Sequence, residues 1–128
     1  MQKFNYHTHT ARCGHAVGTD EEYVQAALKC GYTALGFSEH IQFRAYNGQY
    51  GRIDYEAFPK YFRDIYALRD RYKNQISIFC GIEAEFIPEY LLDLYDLRRH
   101  CDFFILGQHR GGPNSYFYEN SCTDEDVL

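Results

Sequence analysis

The stretch that decides the fold is Tyr6–Ala27, YHTHTARCGHAVGTDEEYVQAA. It places His7, His9, Cys13 and His15 directly ahead of a helix start. Phe4–His7 reads as a short strand, and alternate side chains of a strand share a face, so His7 and His9 point the same way from its C-terminal end. Thr19 with Glu22 three residues on forms a T-x-x-E capping box. Asp20 and Glu21 add negative charge where the helix dipole favours it. Tyr23, Ala27 and Cys30 then share one helical face, with Val24 and Leu28 beside it, and Gly31 suits the stop. The stretch is therefore a strand end, a loop rich in metal-capable side chains, and a capped helix.

Working outward, the same unit recurs. TALGF (33–37) is a compact apolar strand followed by Ser38–Glu39–His40. Residues 41–54, IQFRAYNGQYGRID, show no period and read as a loop packed by its rings; Phe43, Tyr46 and Tyr50 are lid candidates, with ordinary packing the competing role. A helix is expected from about Tyr55 to Lys73. Pro59 falls in its first turns, where proline is tolerated, and Phe58, Phe62, Ile65 and Leu68–Arg69 form its buried stripe. ISIFCGIEAEF (76–86) is rich in β-branched and aromatic residues and reads as a strand. Pro88 opens a further helix, with Leu91, Leu94, Tyr95 and Arg98 at helical spacing. DFFILG (102–107) is a fourth strand, left by the Gly/Pro loop QHRGGPNS (108–115). The order β-α-β-α-β-α-β implies a parallel sheet with helical crossovers, and short apolar strands suit a sheet covered on both faces. SCTDEDVL (121–128) holds a cap-like Thr123 with Asp126 three residues on. It reads as a helix start cut inside the next repeat unit.

Composition bounds the class. The chain has 128 residues, enough for one domain, with 45% hydrophobic and 18% aromatic residues, which argues against disorder. The net charge of -5 lacks the basic footprint of a nucleic-acid binder. No run reaches the ~18 apolar residues of a membrane span, and MQKFNYHTHT has no apolar signal core. The expectation is a cytoplasmic protein with no membrane and no nucleic-acid partner. Its five cysteines, an odd number without a secretion signal, read as free thiols.

The chemistry gathers at the strand ends. In open α/β sheets and β/α barrels, ligands bind at the C-terminal ends of the strands. There the first strand delivers His7 and His9, with His15 in its loop. The second delivers His40, the third Glu83 with Glu85 on the same side, and the fourth His109. These six residues, His7, His9, His15, His40, Glu83 and His109, are the candidate metal ligands. Of the six histidines only His100 lies elsewhere, near a helix C-terminus that favours a cation, and it reads as structural. Glu39 stands either as an exposed charge or as an outer partner orienting a ligand. Imidazole with carboxylate suits Zn, Fe or Mn. A bridging carboxylate such as Glu83 suits clustered ions, which favour displacement at phosphorus. The residues alone point to metal-assisted hydrolysis of a phosphate ester.

HTHT, RCGHAVGTDEEYVQAA, GYTALGFSEH, GIEAEF and ILGQHR together resemble the PHP (polymerase and histidinol phosphatase) family, most closely its histidinol-phosphatase-like branch, over essentially the whole chain. The resemblance implies a distorted, TIM-like (β/α)7 barrel with two or three divalent metal ions (Zn, Mn or Fe). It implies that His7 and His9 bind one ion, that Glu83 bridges, and that His15, His40 and His109 serve the others. A metal-bridging hydroxide would attack L-histidinol phosphate, a small phosphomonoester, and release L-histidinol and phosphate.

Glu83 and His9 then form the candidate catalytic set with Arg12 and Arg110, whose guanidinium groups suit phosphate oxygens; for both arginines a solvated loop charge is an equal alternative. Phosphatases of the family are longer and add a histidine and a D-x-H motif, whereas no histidine follows His109 here. The expected molecule is thus a single α/β domain over residues 1–128, truncated on its C-terminal side after about four βα units. It could form a homodimer through the exposed half-barrel edges. The competing functions are a PHP phosphoesterase acting on nucleotides or nucleic-acid ends, and a non-catalytic metal-binding half domain.

Overall fold

The capping box at Thr19 forms as its residues require. The Glu22 amide donates to the Thr19 hydroxyl (3.3 Å) and the Thr19 amide donates to the Glu22 carboxylate (2.7 Å). Helix α1, Asp20–Lys29, starts there. It ends where Gly31 takes φ +74°, a left-handed conformation that glycine adopts without penalty. The structure, a computed structural model, describes residues 1–46, 51–112 and 115–116. The expected helix start at Thr123–Asp126 and the ring of Tyr50 lie outside the described residues.

Four strands build one parallel sheet: β1 (Phe4–Asn5), β2 (Ala34–His40), β3 (Ser77–Ala84) and β4 (Phe103–Leu106), in the order β1-β2-β3-β4. Helices α1, α2 (Phe58–Tyr72) and α3 (Leu91–Arg98) fall between successive strands, so the βα repeat is that of a partial TIM-like barrel. Pairing runs through Phe4↔Ala34, His40↔Glu83 and Glu83↔Ile105, which lines up the strand ends.

The boundaries differ from expectation in instructive ways. β1 is only two residues long; beyond it Thr8 stays tied to β2, because the Ser38 amide donates to the Thr8 carbonyl (2.9 Å) and the Thr8 amide to the Ser38 hydroxyl (3.1 Å). Ser38–Glu39–His40 belongs to β2 itself, since each residue pairs with β3.

Within residues 41–54, Ile41 and Ile53 bridge, and both are buried with Phe43. Phe43 packs against Tyr90 with ring centroids 5.0 Å apart and the planes tilted by 30°, a packing role. In α3 the expected stripe is shifted: Leu97 is buried and Tyr95 is 61% exposed, because Asp93, salt-bridged to Arg44 at 2.8 Å, takes an inward position. QHRGGPNS contributes a hairpin, β5 (Arg110–Gly112) and β6 (Ser115–Tyr116), rather than a plain loop.

The two sheet faces differ. On one, Leu35, Phe37, Cys80 and Ile82 are buried in one cluster with Val24, Phe58, Tyr61 and Ile65 of the helices. Tyr61 donates its hydroxyl to the Gly81 carbonyl (2.8 Å). The other face carries Tyr6, Phe79 and Phe103 in edge-on contact. Gly36 and Gly81 make room for these rings, since a Cβ on Gly81 would lie 2.5 Å from Phe103. The edges β1 and β4 bear exposed Phe4, Phe104 and Leu106, and Tyr6 just past β1 is also exposed. Among the described residues no helix is long and apolar enough to cross a membrane.

Candidate metal centre

Strand alternation puts His40 and Glu83 on the same face as Gly36 and Gly81, at the C-terminal end above the aromatic rings. Glu83, with 4% of its side chain exposed, is the hub. Its Oε2 lies 2.6 Å from His7 Nε2, 2.9 Å from His9 Nε2 and 3.6 Å from His40 Nε2; its Oε1 lies 3.1 Å from His109 Nε2. The imidazoles crowd together: His9 stacks on His40 at 4.5 Å, and His15 lies 4.8 Å from His40. Ligand atoms within 4.8 Å of one another form the sets His7/His9/Glu83, His40/Glu83/His109 and His9/His15/His40. All six expected ligands come together.

Gly107, which the sequence reading passed over, creates the space for the hub. A Cβ there would lie 1.7 Å from Glu83 Oε1. The only signal was a glycine two residues before His109 at a strand end.

The electrostatics favour a ligand-ready state. Burial holds His9 and His40 below the ordinary imidazole pKa, outweighing the opposing pull of Glu83. Burial also pushes the Glu83 carboxyl up, but the His7 hydrogen bond and the other imidazoles outweigh it and hold the pKa low. Neutral imidazoles around an ionised carboxylate are the forms that bind a cation. The N/O donor set suits Zn, Mn or Fe, and three imidazole nitrogens lie within 3.1 Å of one carboxylate. These residues fit the metals that the resemblance implies.

Further groups support this layer. Glu39 points to the helix side, fully buried, and accepts from the Thr10 amide (2.9 Å) and hydroxyl (2.6 Å). Glu85 accepts the His109 amide (3.0 Å) and pairs with Arg52 (3.1 Å), both side chains being almost entirely buried. Arg52 lies in the aperiodic loop, where no pattern marked it.

Arg12 is committed away from the imidazoles: its guanidinium donates to Asp20 (2.5 Å) and Asp64 (2.7 Å). Asp20, expected as a helix-dipole charge, is thus also a buried ion-pair partner. The Arg110 side chain lies outside the described residues. His100 stacks on Phe62 at 5.8 Å near the end of α3, away from the cluster.

The family model of the PHP domain matches residues 5–128, and this chain belongs to the PHP domain family. It is 34% identical over 96 residues to a protein of Deinococcus radiodurans named probable histidinol-phosphatase, an alignment covering 70% of this chain and 37% of that protein. It is 30% identical over 138 aligned positions to the histidinol-phosphatase of Bacillus subtilis, covering 98% of this chain and 50% of that one. The chain thus spans half or less of the length of these relatives. Among solved structures, the histidinol phosphate phosphatase of Lactococcus lactis, complexed with zinc, L-histidinol and phosphate, superposes with a TM-score of 0.64 at 20% identity, covering 92% of this chain and 45% of that one. A Listeria monocytogenes chain described as a candidate histidinol phosphatase gives 0.72 at 21% identity, covering 97% and 51%. These likenesses establish the fold.

Proposed function

We propose that this chain carries the metal-binding strand ends of a metal-dependent phosphomonoesterase whose substrate is L-histidinol phosphate. The observation that carries the reading is the Glu83 carboxylate surrounded by imidazoles from β1, β2 and β4 ends, all within 3.6 Å. The names of the curated relatives and the zinc, L-histidinol and phosphate in the Lactococcus lactis complex support the substrate. In this reading His7 and His9 would hold one cation, Glu83 would be shared between ions, and His15, His40 and His109 would serve the others. Bound divalent ions supply Lewis acidity at the phosphoryl oxygens and lower the pKa of water toward ~7. The chain's part is to hold the imidazoles and one carboxylate in register, so that binding requires little rearrangement.

Arg12 enters this reading as a brace for the loop, because two carboxylates occupy its guanidinium. Arg110, next to His109, remains the candidate for the phosphate.

The test is phosphate release from L-histidinol phosphate with Mn or Zn, compared with a nucleoside monophosphate, using this chain and the chain extended to its relatives' length. Release from either form, lost in Glu83→Gln and faster with histidinol phosphate, is the expected result. Absence of release from both forms would overturn the reading, and preference for the nucleotide would reassign the substrate.

A further inference from the structure

We infer that Arg52 is a positioning residue for the metal centre: through Glu85 it fixes the backbone at His109, and with the residues on either side of it straps the loop to His15 and His40. The inference rests on the metal reading above for its purpose, though not for its geometry.

Three observations carry it. First, residues 51–53 meet three candidate ligands in succession. A Cβ on Gly51 would lie 3.1 Å from His15 Cε1, so the backbone runs against that imidazole. The Ile53 amide donates to the His40 carbonyl (3.1 Å), and the Ile53 carbonyl accepts from the Gln42 amide (3.1 Å). Between them Arg52 reaches across to Glu85. Second, the Glu85 carboxylate divides its oxygens: Oε1 accepts the His109 amide (3.0 Å) and Oε2 accepts from Arg52 (3.1 Å), with the two side chains 3% and 7% exposed. Third, His109 depends on such a hold. Its side chain is 41% exposed while its Nε2 lies 3.1 Å from Glu83, so its ring is aimed by its backbone more than by packing. The Gly107 amide still follows the sheet, donating to the Ala84 carbonyl (3.1 Å), and the Gln108 side chain accepts the Phe86 amide (2.8 Å). At His109 itself Glu85 takes over.

A buried ion pair is weak evidence for stability, since apolar residues of similar volume often serve as well. What the pair provides here is direction. A charge-assisted hydrogen bond to one carboxylate oxygen keeps the other turned to His109. Support behind a metal ligand is worth about 10–100-fold in metal affinity. The contact uses one guanidinium nitrogen, and Nε is buried without a partner, so the point charge of a lysine can replace it.

The experiment measures Zn affinity by chelator competition in the unsubstituted protein, Arg52→Met, Arg52→Lys, Glu85→Gln and the Arg52→Met/Glu85→Gln double variant. It also follows hydrogen exchange of the His109 amide in the metal-free proteins. Arg52→Met and Glu85→Gln should each lose about 10–100-fold in affinity. The double variant should lose no more than the larger single loss, because both changes remove one contact. Arg52→Lys should stay within about threefold of the unsubstituted protein. In Arg52→Met the His109 amide should exchange about tenfold faster relative to the amides of β3, the worth of one hydrogen bond. A folded Arg52→Met with unchanged affinity, losses that multiply in the double variant, or an Arg52→Lys as weak as Arg52→Met overturns the inference. Should a single variant not fold, the double variant, which leaves no unpaired buried charge, decides: affinity equal to that of the unsubstituted protein overturns the inference. If the unsubstituted protein binds no Zn, the metal reading falls instead, and the metal-free exchange of His109 still decides the role of Arg52.

Discussion

Glu83 and Gly107 show how one residue depends on the absence of another. The carboxylate fills the volume that a side chain at 107 would need, with a Cβ falling 1.7 Å from Oε1. Gly107→Ala must therefore displace the hub of the imidazole cluster. The expected outcome is a loss of at least about tenfold in Zn or Mn affinity, as for other perturbations of ligand placement. Overpacking should cost about 1–3 kcal/mol of stability. Titration with metal and urea unfolding measure the two; unchanged affinity would show that Glu83 can retreat without loss. At this scale the gathering of the six candidate ligands was legible, because strand alternation and strand ends are properties of sequence spacing. Gly107 was not, since its role is set by contact across two strands. Glu39 was legible only as a choice between surface charge and outer partner, because nothing in its spacing revealed the clamp at Thr10.

At the scale of elements, the loop between β1 and α1 is braced by Arg12, which links Asp20 at the start of α1 to Asp64 in α2. Removing the cation leaves the largely buried Asp20 without its partner. Arg12→Leu should destabilise the fold by about 3 kcal/mol in urea unfolding, with KM little changed in any active form. A raised KM with unchanged stability would instead restore Arg12 to the phosphate. The pH dependence has a definite sign. Burial raises the Asp64 carboxyl pKa, but hydrogen bonds from Lys60 and Arg12 outweigh it and hold the pKa below its ordinary value of 3.8. Its contribution to stability is therefore full above that value and lost as pH falls through the lowered one, and Arg12→Leu should weaken that acid dependence. Element order was readable because the βα repeat dominates the pattern. The shifted stripe of α3 was not, since Asp93 is buried through an ion pair with Arg44, and periodicity counts an aspartate as polar. The β5–β6 hairpin was hidden in a Gly/Pro-rich segment with no alternation to mark strands.

Across the whole molecule, the candidate ligands leave the ends of all four strands of the sheet. A cation held by them joins segments from His7 to His109, and no single βα unit owns the site. Binding should therefore stabilise the domain as one body. A ligand specific to the folded state contributes RT ln(1 + [L]/Kd), about 2.7 kcal/mol at a free concentration of 100 Kd. For a domain of this size that corresponds to a rise in Tm of roughly 10 °C. Thermal unfolding with Zn or Mn at that excess should show the rise, chelation should reverse it, and Glu83→Gln should abolish it. His100→Ala lies away from the cluster, stacked on Phe62, so it should lower the baseline Tm while leaving the metal-induced increment intact. Equal increments in the unsubstituted protein and in Glu83→Gln would mean that the ions bind elsewhere, and that the strand-end cluster is not the metal centre.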